Sequence, residues 1–500
     1  MTDPTRPDPR APLDLLVQEV SARLRELLLG ADDRAPPVCG LHSPEQIGRA
    51  LAQAGLPLPL RPDDPLPDLP ALTRALDAVA AHSVRTLHPR FLNQNFAGAD
   101  PIAILGDWFG AAYNTTLATY EAAPVFTLIE RALIARLAEL VGWSAHEGLF
   151  VAGGSLSNLY AMHLARARSD PDSLEYGPSL RSDDKPPLIA FTSAHSHYSL
   201  TKSAVLLGLG RRALRLVPCD DHGRMRPKNL AALIHEAIDA GQRPFFVNAT
   251  AGTTVLGAFD PFWEIADLCA QHGLWLHIDG TFGASALLSP RQRWRLDGAA
   301  RADSLSWNLH KMLGITQHCA ALLVRRPGQL RPAFAASADY LFQPDKPHAE
   351  LDSGDLTFQC ARRNDVFKAW FCWKARGEAA LAARVDHGVE LAALAARRIE
   401  SDPRFALAAP PSWVNVCFWW VPPHLRPLDR THPEFHAHLH PIAPAIKARL
   451  LAEGAVMLAY QPIGPAPNAF RLLFINPAVT PADIDHTLDA IDRHGRALFA

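Results

Sequence analysis

Lys311 closes the segment Ser306-Trp307-Asn308-Leu309-His310-Lys311, and Asp279 closes the apolar run Leu274-Trp275-Leu276-His277-Ile278. Taken singly, each is ordinary: a lysine is usually a solvated surface group, and an aspartate at a strand end usually caps a turn. Taken together they define a chemistry. A planar aromatic cofactor that acts as an electron sink needs an acid to keep its ring nitrogen protonated and an amine to hold its aldehyde. Asp279 is the candidate for the first role and Lys311 for the second.

Two further segments fit the same purpose. Ala152-Gly153-Gly154-Ser155-Leu156-Ser157-Asn158 is a glycine-rich turn placed to open a helix, where backbone N–H groups and hydroxyls suit a phosphate dianion. It matches neither G-x-x-x-x-G-K-[ST] nor G-x-G-x-x-G, which disfavours a nucleotide. Ser196-His197-Tyr198-Ser199 offers an imidazole that could stack on the cofactor ring. His195 with His197, and the group His436, His438 and His440, could instead hold a metal. No carboxylate or thiol cluster completes a ligand set in the sequence, so no metal is expected.

These motifs need a scaffold. Short apolar runs at Leu149–Ala152, Leu188–Thr192, Phe245–Ala249, Leu274–Ile278 and Ala320–Val324 predict buried strands, separated by helices at Asn158–Arg168, Leu230–Ala240 and Trp263–His272. Such alternation predicts an α/β fold with a mostly parallel sheet covered on both faces, its chemistry beyond the carboxyl ends of the strands. A helix over Ala375–Glu400 leads to a smaller C-terminal unit with strands at Val414–Val421 and Phe470–Ile475. The Pro- and Asp-rich N-terminus, with a helix over Leu15–Leu29, reads as a loosely held arm. The expected division is an arm over 1–95, a large cofactor-binding domain over 96–372 and a small α+β domain over 373–500.

Composition narrows the partners. The 500 residues carry 49 basic and 51 acidic side chains, so no global field recruits nucleic acid or an anionic membrane. Seven scattered cysteines without C-x-x-C spacing, no signal-like N-terminus and no run of the ~20 apolar residues a membrane span requires predict a cytoplasmic protein acting on a small molecule.

In this order the residues closely resemble the group II pyridoxal-phosphate decarboxylases, above all the branch of cysteine sulfinate and glutamate decarboxylases. The likeness runs through His88-Pro89-Arg90-Phe91, Asn114-Thr115, Tyr120-Glu121, Pro124-Val125-Phe126 and the glycine turn. It continues through Thr253-Thr254-Val255-Leu256-Gly257-Ala258-Phe259-Asp260, Tyr340-Leu341-Phe342-Gln343-Pro344-Asp345-Lys346, Val414-Asn415-Val416-Cys417-Phe418-Trp419, Phe470-Arg471 and Asn476-Pro477-Ala478. The resemblance implies a fold type I, aspartate-aminotransferase-like architecture and a homodimer with shared active sites. It implies pyridoxal 5'-phosphate as cofactor and loss of the α-carboxylate of a small amino acid. It makes Lys311 the Schiff-base lysine, Asp279 the pyridinium partner and His197 the stacking imidazole. Gly154, Ser155, Leu156, Ser157, Asn308 and His310 become phosphate or near-phosphate contacts, and Thr253 and Asp260 part of the segment beneath the cofactor. Tyr340, on a loop from the other subunit, becomes the proton donor to the carbanion.

The same resemblance bears on substrate. Arg471 matches an arginine that takes a substrate carboxylate, Asn93 and Gln94 match polar contacts near a distal acid, and Asn114 and Ala118 line the pocket. The expected substrate is a small acidic L-amino acid of the aspartate, cysteine sulfinate or glutamate class, and Phe96, standing where the cysteine sulfinate branch has an aromatic residue and the glutamate branch a small one, argues for a shorter acid such as aspartate or cysteine sulfinate. Departures are Asn95 for an apolar residue, Ala118 for an aromatic one, Leu309 for a proline, and Asp279-Gly280-Thr281-Phe282 for Asp-Ala-Ala-Trp. The space freed at Ala118 keeps a bulkier amino acid open as substrate. An aldehyde synthase or aminotransferase would use the same lysine and aspartate, although the former tends to lose the phenol that Tyr340 retains. A catalytically silent binding homologue would be marked by loss of the lysine, and Lys311 is present.

Overall fold

The computed structural model describes residues 11–64, 66–177, 185–336, 338 and 340–499. Seven strands form the large sheet: β1 (Glu147–Val151), β2 (Leu188–Ser193), β3 (Leu214–Val217), β4 (Arg243–Thr250), β5 (Trp275–Asp279), β6 (Ser304–Asn308) and β7 (Ala320–Val324), in the order β1-β7-β6-β5-β4-β2-β3. From β3 to β6 neighbouring strands are parallel, whereas β7 runs antiparallel to both β6 and β1. Every residue of β2, β5, β6 and β7 is buried. Alternate side chains of β5 therefore serve opposite faces: Leu276 and Ile278 join Phe262 and Ile265 in one core, while Trp275 joins Tyr160, Ala161 and Leu164 in the other.

Helices cover both faces because each connection between parallel strands must cross the sheet. Gly154–Ser169 follows β1, and Phe262–His272 precedes β5, ending at Gly273, whose φ of 66° is the left-handed conformation that a glycine cap permits. The second sheet is antiparallel, with strands β8 (Phe405–Leu407), β9 (Asn415–Trp420), β10 (Ala459–Ile463) and β11 (Ala466–Leu473) in the order β10-β11-β9-β8.

Two expectations change here. The helix expected over Ala375–Glu400 begins earlier, at Val366, and breaks at Gly377, where φ 74° and ψ 160° are non-helical. The N-terminal segment is not loosely held from residue 11 onward. It contains helices Ala11–Leu29, Pro44–Gln53 and Leu69–His82, and its following strand-like stretch joins the small sheet. Leu92 N donates to Met457 O, and Leu473 N donates to Leu92 O. Arg34 forks onto the buried carboxylate of Asp483 at 2.8 Å through Nε and Nη2. Residues 1–10, within the expected arm, lie outside the described residues.

Candidate active site

β5 and β6 end side by side, with Asp279 paired in register to Ser306 and, on its other side, to Thr250. The chain leaving β6 turns through His310 to Lys311, and the turn after β1 delivers the first residues of helix Gly154–Ser169 to the same edge. Contacts close the site: Lys311 Nζ donates to Thr281 Oγ1 at 3.1 Å, and Thr281 N donates to Asp279 Oδ1 at 3.2 Å. A Cβ on Gly154 would collide with the Thr281 methyl and lie 3.1 Å from Asn308 Nδ2. Gly154, Asp279, Thr281, Asn308 and Lys311, far apart in sequence, thus share one small volume.

The carboxylate is held by a relay that the sequence analysis missed. Asn158 Nδ2 donates to Asp279 Oδ2 at 2.8 Å and to Ser199 Oγ at 3.0 Å. Its Oδ1 takes His277 Nε2 at 3.1 Å and Ser306 Oγ at 3.4 Å. His197 Nδ1 accepts from Ser199 N at 3.3 Å and lies 2.8 Å from Ser199 Oγ. Trp275 Nε1 and His277 Nδ1 meet on Ser304 Oγ, each at 2.8 Å. One signal was available: His277 lies two residues before Asp279 on a strand, so both project from the same face.

The charges follow from this packing. Burial acts to raise the Asp279 pKa, but the Lys311 charge and the Asn158 hydrogen bond outweigh it and hold the carboxyl below its ordinary value. Burial pulls the Lys311 amine below its ordinary value, and the Asp279 charge opposes that shift. Burial also lowers His197 and takes His277 to about 4 and His310 to about 3, so these rings are neutral at pH 7. Asp260, enclosed below β4, is pushed up to about 7 by burial while accepting from Met225 N and Thr250 N at 2.7 Å.

The remaining anticipated residues fall into three groups. Beside Gly154, the buried Ser157 Oγ and Asn308 Oδ1 have no hydrogen-bond partner among the described residues, and His310 Nδ1 accepts from Cys319 N at 3.0 Å. Ser155 and Leu156 stand at the same helix start, where Leu156 N donates to Gly153 O at 3.1 Å and the positive end of the helix faces the cradle. Unpartnered buried polar atoms around a glycine cradle at a helix N-terminus fit a phosphate, and the neighbouring acid and amine fit a pyridine ring and an aldehyde.

The second group lies where the sheets meet. Arg471 on β11 donates to Thr254 O at 3.0 Å and Asn93 O at 3.1 Å, while its Nε has no partner among the described residues. It is 8% exposed and has no acidic partner among the described residues. Thr253 Oγ1 accepts from Ala258 N at 3.0 Å within the adjoining turn. Phe96 is half-buried, its ring 5.9 Å from Phe91.

The third group faces outward in the single chain. Gln94 and Asn114 are exposed, Asn114 capping helix Pro101–Tyr113 in the left-handed region, and Tyr340 is 85% exposed. Ala118 is buried, and its carbonyl accepts from Ser353 N and Gly354 N, which anchors the end of the segment carrying Tyr340. Away from all of these, His432, Glu434 and His438 bring ligand atoms within 4.8 Å of one another. Of His436, His438 and His440, weighed together in the sequence, this cluster includes His438 alone. Among the described residues no helix is long and apolar enough to cross a membrane.

An acid and an amine held this way at adjacent strand ends, beside a phosphate cradle, suit the enzymes that use pyridoxal phosphate. Comparison with known proteins narrows that class. Residues 59–421 match the pyridoxal-dependent decarboxylase conserved domain, and the chain belongs to that family of amino acid decarboxylases. It is 44% identical to acidic amino acid decarboxylase GADL1 of Bos taurus, covering 95% of this chain and 89% of the relative. Human cysteine sulfinic acid decarboxylase is 46% identical, with 84% of this chain and 85% of the relative covered. The crystal structure of mouse CSAD superposes with a TM-score of 0.91 at 40% identity, over 98% of this chain and 99% of that one. The architecture is fold type I, and the cofactor is pyridoxal phosphate.

Proposed function

We propose that this chain decarboxylates a short acidic L-amino acid, of the aspartate or cysteine sulfinate class, to its amine and carbon dioxide. The observation that carries the acidic preference is Arg471, a buried guanidinium held by two carbonyls and without an acidic partner among the described residues. Such a group is costly unless an anion completes it, and its planar fork suits a carboxylate or sulfinate. The names of the relatives, one for acidic amino acids and one for cysteine sulfinic acid, support the same reading.

In this reading Lys311 binds the cofactor's aldehyde, Asp279 keeps the ring nitrogen protonated, and Ser157, Asn308 and the glycine turn with the first residues of the helix, Gly154–Leu156, hold the phosphate. When bound, pyridoxal phosphate supplies the electron sink for the bond that breaks. The Asn158 relay keeps Asp279 ionised and oriented. His197, with Nδ1 occupied by Ser199, presents a neutral ring face toward the cofactor plane. Tyr340 donates the proton that replaces the carboxylate, acting in the site of a second copy, and Phe96, Gln94, Asn114 and Ala118 shape the pocket.

A homodimer is supported by an aromatic surface. Trp108, Phe109 and Tyr113 are 44%, 54% and 60% exposed, and Phe109 lies 5.4 Å from Phe367, which stacks 5.6 Å from the exposed Phe371. Contiguous exposed apolar side chains of this size mark an interface. Seven free cysteines, five of them buried, fit a reducing cytoplasm. The deciding experiment quantifies amine product from aspartate, cysteine sulfinate, glutamate and phenylalanine. Turnover of one of the two short acids at least tenfold above phenylalanine is expected; preference for phenylalanine, or ammonia and hydrogen peroxide in step with carbon dioxide, overturns the proposal.

A further inference from the structure

Thr281 touches the amine on which the reaction depends. Its Oγ1 lies 3.1 Å from Lys311 Nζ, and the same side chain also hydrogen-bonds to Asp279, so the hydroxyl stands between the amine and the acid. The side chain has little freedom to make this contact otherwise. Thr281 is 9% exposed, its N–H is tied to Asp279 Oδ1 at 3.2 Å, and its methyl fills the space that Gly154 leaves for want of a Cβ. A β-branched side chain is stiff at χ1, so seating the methyl against Gly154 sends the hydroxyl toward Lys311. On its other side Nζ lies 5.6 Å from the centre of the Phe282 ring, which offers it a face but no hydrogen-bond acceptor.

We propose that Thr281 is a positioning residue whose hydroxyl holds the free amine of Lys311 aimed at the cofactor, and so speeds formation of the lysine–cofactor bond. This rests on the reading of Lys311 as the cofactor-binding lysine. In that bond-forming step the Nζ lone pair attacks the aldehyde carbon, a carbon–nitrogen double bond forms, and the aldehyde oxygen leaves as water with the two amine hydrogens. Nζ has four methylene groups of flexible chain behind it, so an aimed amine reaches the reactive geometry more often than a free one.

The test mixes full-length protein stripped of cofactor with pyridoxal phosphate and follows the visible absorbance by stopped flow. Thr281→Val keeps the branched shape without the hydroxyl, and Thr281→Ser keeps the hydroxyl. A hydrogen bond to an amine of this kind corresponds to roughly tenfold in rate. Capture is expected to slow about tenfold in the valine variant and to stay within about twofold of wild type in the serine variant. Binding of pyridoxamine phosphate, which has no aldehyde, and the melting temperature should be unchanged in both. Wild-type capture by the valine variant, equal slowing in the serine variant, or matched loss of pyridoxamine phosphate binding would overturn the proposal. A wild type that binds pyridoxamine phosphate but develops no lysine-linked absorbance would instead overturn the assignment of Lys311 on which it rests.

Discussion

At Asn158 both amide hydrogens and both oxygen lone pairs are committed, to Asp279, Ser199, His277 and Ser306. This fixes the protonation of its neighbours: His277 must carry its hydrogen on Nε2, and Asp279 must be the anion that accepts. Asn158→Leu leaves a buried carboxylate and imidazole short of partners, so a loss of roughly 1–3 kcal/mol in urea unfolding is expected, with turnover falling further than cofactor binding. Asp279→Ala should keep cofactor bound through the phosphate and Lys311 while turnover drops at least a thousandfold; near-normal turnover would contradict the role given to the acid. His277 adds a pH dependence. The unfolded chain takes up a proton near pH 6.5 and the folded chain only near 4, so acidification through that window favours unfolding. The contribution is complete above pH 6.5 and shrinks by about 3 kcal/mol on the way to pH 4. His277→Gln should therefore show a shallower fall in melting temperature between pH 7 and pH 4.5 than wild type.

Among the elements, strands that are mostly apolar were legible and those interrupted by polar residues were not. β7 is an uninterrupted apolar run and β5 an apolar run broken only by His277 before its closing acid, and both appear where the sequence places them. β3 is a short strand at the sheet edge, Leu214-Arg215-Leu216-Val217, whose arginine and exposed Leu216 blur any burial pattern. β6 carries Ser304 and Ser306, which serve the Asp279 relay and break the apolar run that would have announced a strand. The reversed direction of β7 leaves no trace in a hydrophobic pattern, because burial is blind to polarity of the chain. Lys311 and Asp279 were readable as a pair from type and position, whereas His277 and Ser199 acquire meaning only once folding brings Asn158 between them. Gly377 offers a clean test at this scale. No atom would touch an added Cβ, yet φ 74° with ψ 160° is reached readily by glycine alone. Gly377→Ala should cost about 1–3 kcal/mol in denaturant unfolding through backbone strain, and no change would contradict the break.

Across the whole molecule the ends of the chain are fastened together. Asp483, pulled down to about 2 because the Arg34 fork and the Thr480 N–H outweigh its burial, ties residue 34 to the start of helix Pro481–Phe499. Asp483→Asn should expose the segment between the first two helices, read as faster limited proteolysis there with the large sheet intact. The aromatic face of helix Pro101–Tyr113 gives a second expectation: Phe109→Glu should shift the mass measured by light scattering from two chains to one and abolish turnover along with it. Everything catalytic in this account depends on Lys311 and Asp279 serving one bound ring, and borohydride reduction of the pyridoxal-phosphate-loaded protein followed by peptide mass mapping tests that most directly. The reduced cofactor should be found on the peptide containing Lys311, stoichiometrically and at no other lysine. Label on a different lysine, or none on Lys311 in protein that has bound the cofactor, would contradict it.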